Sequence, residues 1–150
     1  MEAWIAEAKA LLAELVAVPS VSAEGRALRE GAEKVAEVLE GLGLRAELHE
    51  GYVPPMVFAE GGEGERTLLF YNHYDVQPPD PLDEWTTPPF EPTIRGRHIF
   101  ARGATDDKGQ MLTHVKSAQA WLETEGKLPL QLKFIIEGEE EVGSHNLAPF

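Results

Sequence analysis

The chain has no cysteine. Disulfide staples and thiolate metal sites are therefore excluded, and any metal must be held by histidine and carboxylate side chains. Basic residues are also scarce: 13 Lys and Arg stand against 26 Asp and Glu, a net charge of -13. That imbalance argues against nucleic acid or an anionic membrane surface as a partner, and it favours cations locally. The N-terminal residues lack the basic stretch and apolar core of a secretory signal, and no apolar run is long enough to span a bilayer. A cytoplasmic location is the default expectation. What is present is a folding composition, 43% hydrophobic over 150 residues, enough for one core.

Hydrophobic periodicity predicts an amphipathic helix over Glu2 to Ala17, with Trp4, Ile5, Ala8, Leu11, Leu12 and Leu15 on one broad face, stopped by Pro19. A second helix is expected from about Ala23 to Leu42, capped by Ser22 and ended by Gly43. Leu44 to His49 and Met56 to Ala59 read as short strands. Thr67 to Asn72 reads as a strongly apolar, buried strand. Gln77 to Pro92 is a proline-rich loop, of a length that is often functional. A hairpin is expected around Gly96, a helix over Gln110 to Glu123, and a buried strand over Leu130 to Glu137. A last helix is expected to open at Ser144 or Asn146. This order gives an α/β fold, a mixed sheet flanked by helices.

Three clusters carry chemistry, each where a strand ends or a helix begins, which is where α/β proteins gather ligand sites. The first is Phe70-Tyr71-Asn72-His73-Tyr74-Asp75. An imidazole at His73 can ligate a metal. A carboxylate two residues on lies on the same side of an extended backbone and can orient that imidazole. At this composition His-x-Asp arises by chance about 0.2 times, so alone it is weak, and a satisfied histidine in a turn is the plain alternative. The second cluster, Arg102-Gly103-Ala104-Thr105-Asp106-Asp107-Lys108-Gly109, leads into a helix. One acid suffices for capping; a second suggests a backbone folded around an ion. The third, Glu137-Gly138-Glu139-Glu140-Glu141, follows the apolar run Leu132 to Ile136. A solvated acidic loop is the usual reading of a charge run. Carboxylates gathered at a strand end, however, repel one another unless protonated or bound to cations.

Longer runs are more specific: His73-Tyr74-Asp75-Val76-Gln77-Pro78, Asp80-Pro81-Leu82 with Trp85, Phe90-Glu91-Pro92, Ala101-Arg102-Gly103-Ala104 and Asp106-Asp107-Lys108-Gly109-Gln110. On these the chain resembles the co-catalytic di-zinc peptidases and deacylases: carnosinase and related dipeptidases, glutamate carboxypeptidase, acetylornithine deacetylase and succinyl-diaminopimelate desuccinylase. The dipeptidase branch is closest. Small departures are Asn72 where Gly is common and Gly96-Arg97-His98 where an Asp-Gly turn is usual. The resemblance implies that His73 ligates one zinc, that Asp75 hydrogen-bonds its other ring nitrogen, and that Asp106 bridges two zincs before a cis peptide to Asp107. It implies Glu140 as general base and Glu141 as ligand of the second zinc, an assignment that a slip of one residue from Glu139 would shift. It further implies two Zn2+ per complete site, with Mn2+ or Co2+ as substitutes. The implied substrate is a small peptide or an N-acyl amino acid, and the implied full-length assembly is a homodimer.

The same resemblance calls for a further Asp and a further His ligand, and for a lid or dimerisation domain, none of which falls within residues 1–150. The chain is therefore expected to be the N-terminal part of a zinc-peptidase catalytic domain. The competing expectations are a polypeptide completed by another chain, or a catalytically incomplete metal-binding or structural module.

Overall fold

The structure, a computed structural model, describes residues 2–150. Helix α1 spans Glu2–Ala17, as its periodicity predicts. Its apolar face is only half covered: Leu15 and Val16 are buried, whereas Ile5 is exposed. Helix α2 begins later than expected, at Leu28, and runs to Gly41. Residues Ser22–Glu24 instead form a 3-10 turn closed by Gly25 in the left-handed region (φ 61°). Ser22 makes no cap, because Gly25 and the left-handed Ala27 reorient the chain before helix geometry starts. Gly43, at φ 87°, turns the chain out of α2.

Strands β1 (Arg45–His49), β2 (Met56–Gly61), β3 (Thr67–His73) and β6 (Gln131–Glu137) form one mixed sheet in the order β1-β2-β6-β3. β1 and β2 are antiparallel, as are β2 and β6, while β3 runs parallel to β6 with His73 opposite Glu137. Strands β4 (Thr93–Arg95) and β5 (His98–Phe100) form a separate hairpin around Gly96. Helix α3 (Lys108–Glu125) carries the crossover from β3 to β6 and packs on β3 and on α1, while α2 packs on β1 and β2. The core joins Val35 and Leu39 of α2, Met111 and Val115 of α3, and Val57, Phe134 and Ile136 of the sheet.

Two further expectations need correction. β3 is not a buried strand: Leu68, Leu69 and Tyr71 are exposed and only Asn72 and His73 are buried. Among the described residues β3 is an edge strand, paired with β6 alone. Residues 144–150 form turns rather than a helix, with Ser144 itself at positive φ.

The topology places the chemistry. In a parallel strand-helix-strand unit the helix runs antiparallel to the strands, so its N-terminus lies at their C-terminal ends. The end of β3, the start of α3 and the end of β6 therefore meet. These are the three clusters marked in the sequence.

Candidate metal centre

The segment from His73 to Val76 is pinned from both sides. The Tyr74 N–H donates to Glu137 O at 2.8 Å, and the Val76 N–H donates to Ser20 O at 2.9 Å. Ser20 Oγ donates to Tyr74 O at 2.6 Å. The Tyr74 ring is fully buried, and its hydroxyl donates to Pro55 O at 2.8 Å. That ring lies against the backbone at Gly138, where any Cβ would overlap it. Glycine is thus the residue that lets the β6 exit pass beside Tyr74.

His73 is buried, and its two ring nitrogens face different surroundings. Nδ1 lies 3.0 Å from Asp75 O and 3.3 Å from Asp75 Oδ1. Both oxygens only accept, so Nδ1 carries the proton. Nε2 is turned to the opposite side, 3.0 Å from Asp106 Oδ1 and 3.9 Å from Glu140 Oε2. Burial works against a charge on the ring, but the hydrogen bond and charge of Asp75, with the charge of Asp107, outweigh it and push the imidazole up to about 9. Burial alone would raise the Asp75 carboxyl; His73 and the Glu141 N–H overcome this and hold it below the usual carboxylate range.

Asp75 also does something the sequence does not announce. Its carboxylate accepts the backbone N–H of Glu140 at 3.2 Å and of Glu141 at 3.1 Å. It thereby ties the end of β3 to the 3-10 turn Glu140–Val142 that follows β6. One fully buried carboxylate orients the imidazole and the acidic turn together.

Within that turn the three glutamates separate. Glu139 is buried and accepts the backbone N–H of Asn146. Glu140 and Glu141 are on the open side. One ligand atom from each of His73, Glu140 and Glu141 lies within 4.8 Å of the others. Gln77 Nε2 donates to Glu141 Oε2 at 2.7 Å. Asp106 is not in that trio, but its exposed carboxylate touches the same ring nitrogen of His73. The bond from Asp106 to Asp107 is cis. Asp107 stands at the start of α3 without making a capping bond. Its carboxylate instead accepts Asn72 Nδ2 at 2.7 Å and the His73 N–H at 3.1 Å.

A divalent cation fits these residues on two observations. With Nδ1 committed to Asp75, Nε2 of His73 is the nitrogen that can exchange its proton for a cation, and it faces a group of carboxylates whose mutual repulsion a cation would relieve. The donor set of one imidazole nitrogen with carboxylate oxygens suits zinc, and also manganese or cobalt.

Sequence reasoning left Gln77, Asn72 and Lys108 without roles. Lys108 is 1% exposed and donates to Leu15 O at 2.9 Å and Val18 O at 2.7 Å, at the exit of α1. Burial pulls its pKa down to about 7 against the attraction of Asp75 and Glu30. A signal was available: Lys108, Met111, Leu112 and Val115 share one helical stripe, which points the lysine inward. Two of the other histidines lie away from the site. His49 packs edge-on against Phe58 and Phe150, and His98 sits in the exposed hairpin.

The family model of Peptidase family M20/M25/M40 matches residues 69–149, the stretch that carries all three clusters. Beta-Ala-His dipeptidase of Homo sapiens is 39% identical over 73% of the chain and 24% of its own length. Cys-Gly metallodipeptidase dug1 of Schizosaccharomyces pombe is 38% identical over 91% of the chain and 32% of its own length. The crystal structure of the M20 family metallo-carboxypeptidase Sso-CP2 from Sulfolobus solfataricus superposes with a TM-score of 0.85 at 42% identity, covering 92% of this chain and 32% of that one. The chain thus spans about a quarter to a third of the length of these relatives. Among the described residues, no helix is long and apolar enough to cross a membrane.

Proposed function

The chain belongs to Peptidase family M20/M25/M40, and from that premise we propose that it is the N-terminal part of the catalytic domain of a metal-dependent dipeptidase. Two of its relatives are dipeptidases. The observation that carries the reading is the divided environment of His73: Nδ1 held by Asp75, and Nε2 aimed at Asp106 and Glu140. His73, Asp106 and Glu141 are the residues that would hold zinc, Asp106 between two ions. The remaining ligands and the lid or dimerisation domain would come from sequence outside these residues. When bound, the metal supplies Lewis acidity, lowering the pKa of a coordinated water and polarising the scissile carbonyl.

The chain's own groups do the rest. Glu140 is the proton carrier. Its carboxylate is held at the open side by its backbone N–H on Asp75, is half exposed, and can reach the space in front of His73 Nε2. It takes the proton from the attacking water and returns it to the leaving amine. Asp75 keeps His73 in the Nδ1–H tautomer and fixes Glu140 and Glu141 relative to it. Gln77 orients the Glu141 carboxylate.

The test uses the full-length polypeptide loaded with zinc. Glu140→Ala is expected to abolish hydrolysis of a dipeptide panel while zinc remains bound. Near-normal turnover would sink the assignment. Hydrolysis of N-acyl amino acids in place of dipeptides would move the substrate class and keep the chemistry.

A further inference from the structure

Asn72 is buried at the end of β3, one residue before His73, and the mechanism above gives it no task. Its side chain bridges two elements. Nδ2 donates to Asp107 Oδ2 at 2.7 Å, and Oδ1 lies 3.1 Å from Nδ1 of His114, on α3. The orientation of this amide follows from its partners. A carboxylate only accepts, so the amide nitrogen must face Asp107 and the amide oxygen must face His114. His114 must then donate from Nδ1. Its ring is held for this by stacking on Phe70, with centroids 4.4 Å apart and planes 19° apart.

Asp107 follows Asp106 directly. The carboxylate of Asp107 is gripped twice by β3, by the Asn72 side chain and by the His73 N–H. These two bonds fix where the Asp106–Asp107 turn sits against the strand that carries His73. Asp106 itself is exposed at its carboxylate, and among the described residues its one hydrogen-bond partner there is His73 Nε2. Its position is therefore set through Asp107 rather than by contacts of its own.

We propose that Asn72 and His114 are positioning residues for Asp106. The amide links His114 of α3 to Asp107, Asp107 locks the turn, and the locked turn presents the Asp106 carboxylate 3.0 Å from His73 Nε2. This rests on the reading of Asp106 and His73 as metal ligands. Phe70 and His114 provide the stacked support, and Asn72 the connection.

The experiment measures zinc affinity of the full-length polypeptide by competition with a chromophoric chelator, alongside 15N NMR of the His114 ring. Asn72→Ala is expected to weaken zinc binding by about 10- to 100-fold, the usual effect of losing a group that orients a ligand. His114→Phe keeps the stack and removes the donor; it is expected to weaken binding roughly threefold. The double variant is expected to be no worse than Asn72→Ala, because the link is already broken. In the unsubstituted protein His114 is expected as the Nδ1–H tautomer, shifting towards Nε2–H in Asn72→Ala. Should Asn72→Ala fail to fold, His114→Phe carries the affinity test and the His114 tautomer of the unsubstituted protein carries the other. Zinc held within twofold of normal by the variants, or an Nε2–H His114 in the unsubstituted protein, overturns this inference and leaves the functional reading standing. An unsubstituted protein that takes up no divalent ion overturns both.

Discussion

Replacing Asp75 with asparagine removes one acceptor oxygen and its charge while keeping the shape. Asp75 serves three donors: Glu140 N–H and His73 Nδ1 at Oδ1, and Glu141 N–H at Oδ2. Asparagine can face them in two ways. With its oxygen at the Oδ1 position it keeps Glu140 and His73 but sets an NH2 against the Glu141 N–H. The reverse loses two partners instead of one, so the first orientation wins. The orphaned Glu141 N–H, at a fully buried side chain, costs about 1–3 kcal/mol of stability. The same change releases the Glu141 turn and weakens the hold on His73. Zinc affinity of the full-length protein should fall about 10- to 100-fold, or about 1.4–2.7 kcal/mol. Asp75→Ala orphans both backbone N–H groups and leaves His73 Nδ1 only the carbonyl of residue 75, so it should be worse on both counts, at about 3–5 kcal/mol of stability. Urea unfolding of the metal-free protein and chelator competition for zinc measure the two effects separately. Lost stability with unchanged zinc affinity would refute the coupling, leaving Asp75 as a packing group only. An alanine variant milder than the asparagine variant would refute the donor count.

Lys108→Met should destabilise the fold by about 2–4 kcal/mol in urea, since Leu15 O and Val18 O lose their donor in a dry site; the methionine removes a costly buried ammonium, which keeps the loss from being larger. A variant as stable as the parent would show that these carbonyls find another donor. Gly138→Ala should cost about 1–3 kcal/mol by forcing the Tyr74 ring away from the β6 exit, and should weaken its bond to Pro55 O, visible as altered tyrosine near-UV circular dichroism. Stripping divalent ions with a chelator should lower the thermal unfolding temperature of the full-length protein, and zinc should restore it, because a ligand that binds only the folded state stabilises it. An unchanged temperature would count against any site at His73.

Much of the fold was legible because its signals are local. The 3.6-residue stripe of Met111, Leu112, Val115 and Ala118 gave α3, and the alternation of Leu132, Phe134 and Ile136 gave β6. Gly43 and Gly96 marked turns that the backbone takes at positive φ. The start of α2 was misread because Ala27 and Gly25 adopt left-handed geometry, and for an alanine that is decided by the surrounding packing rather than by its own preference. The burial of β3 was misread because an apolar run does not say whether both sides of a strand have neighbours.

The sequence by itself determined the chemical inventory: no thiols, an acidic balance, and an imidazole and a carboxylate two residues apart at a strand end. It also determined that three acidic clusters flank one strand-helix-strand unit, and the geometry of that unit is enough to bring them together. The tertiary structure alone decided how the members divide the work. Asp75 reaches across 65 residues to the Glu140 turn, Glu139 turns inward to Asn146 while Glu140 and Glu141 gather at His73, and Asn72 connects His114 to Asp107. The physical reason is that residue type and spacing fix which groups can donate or accept, while partners distant in the chain exist only once the backbone has closed around them.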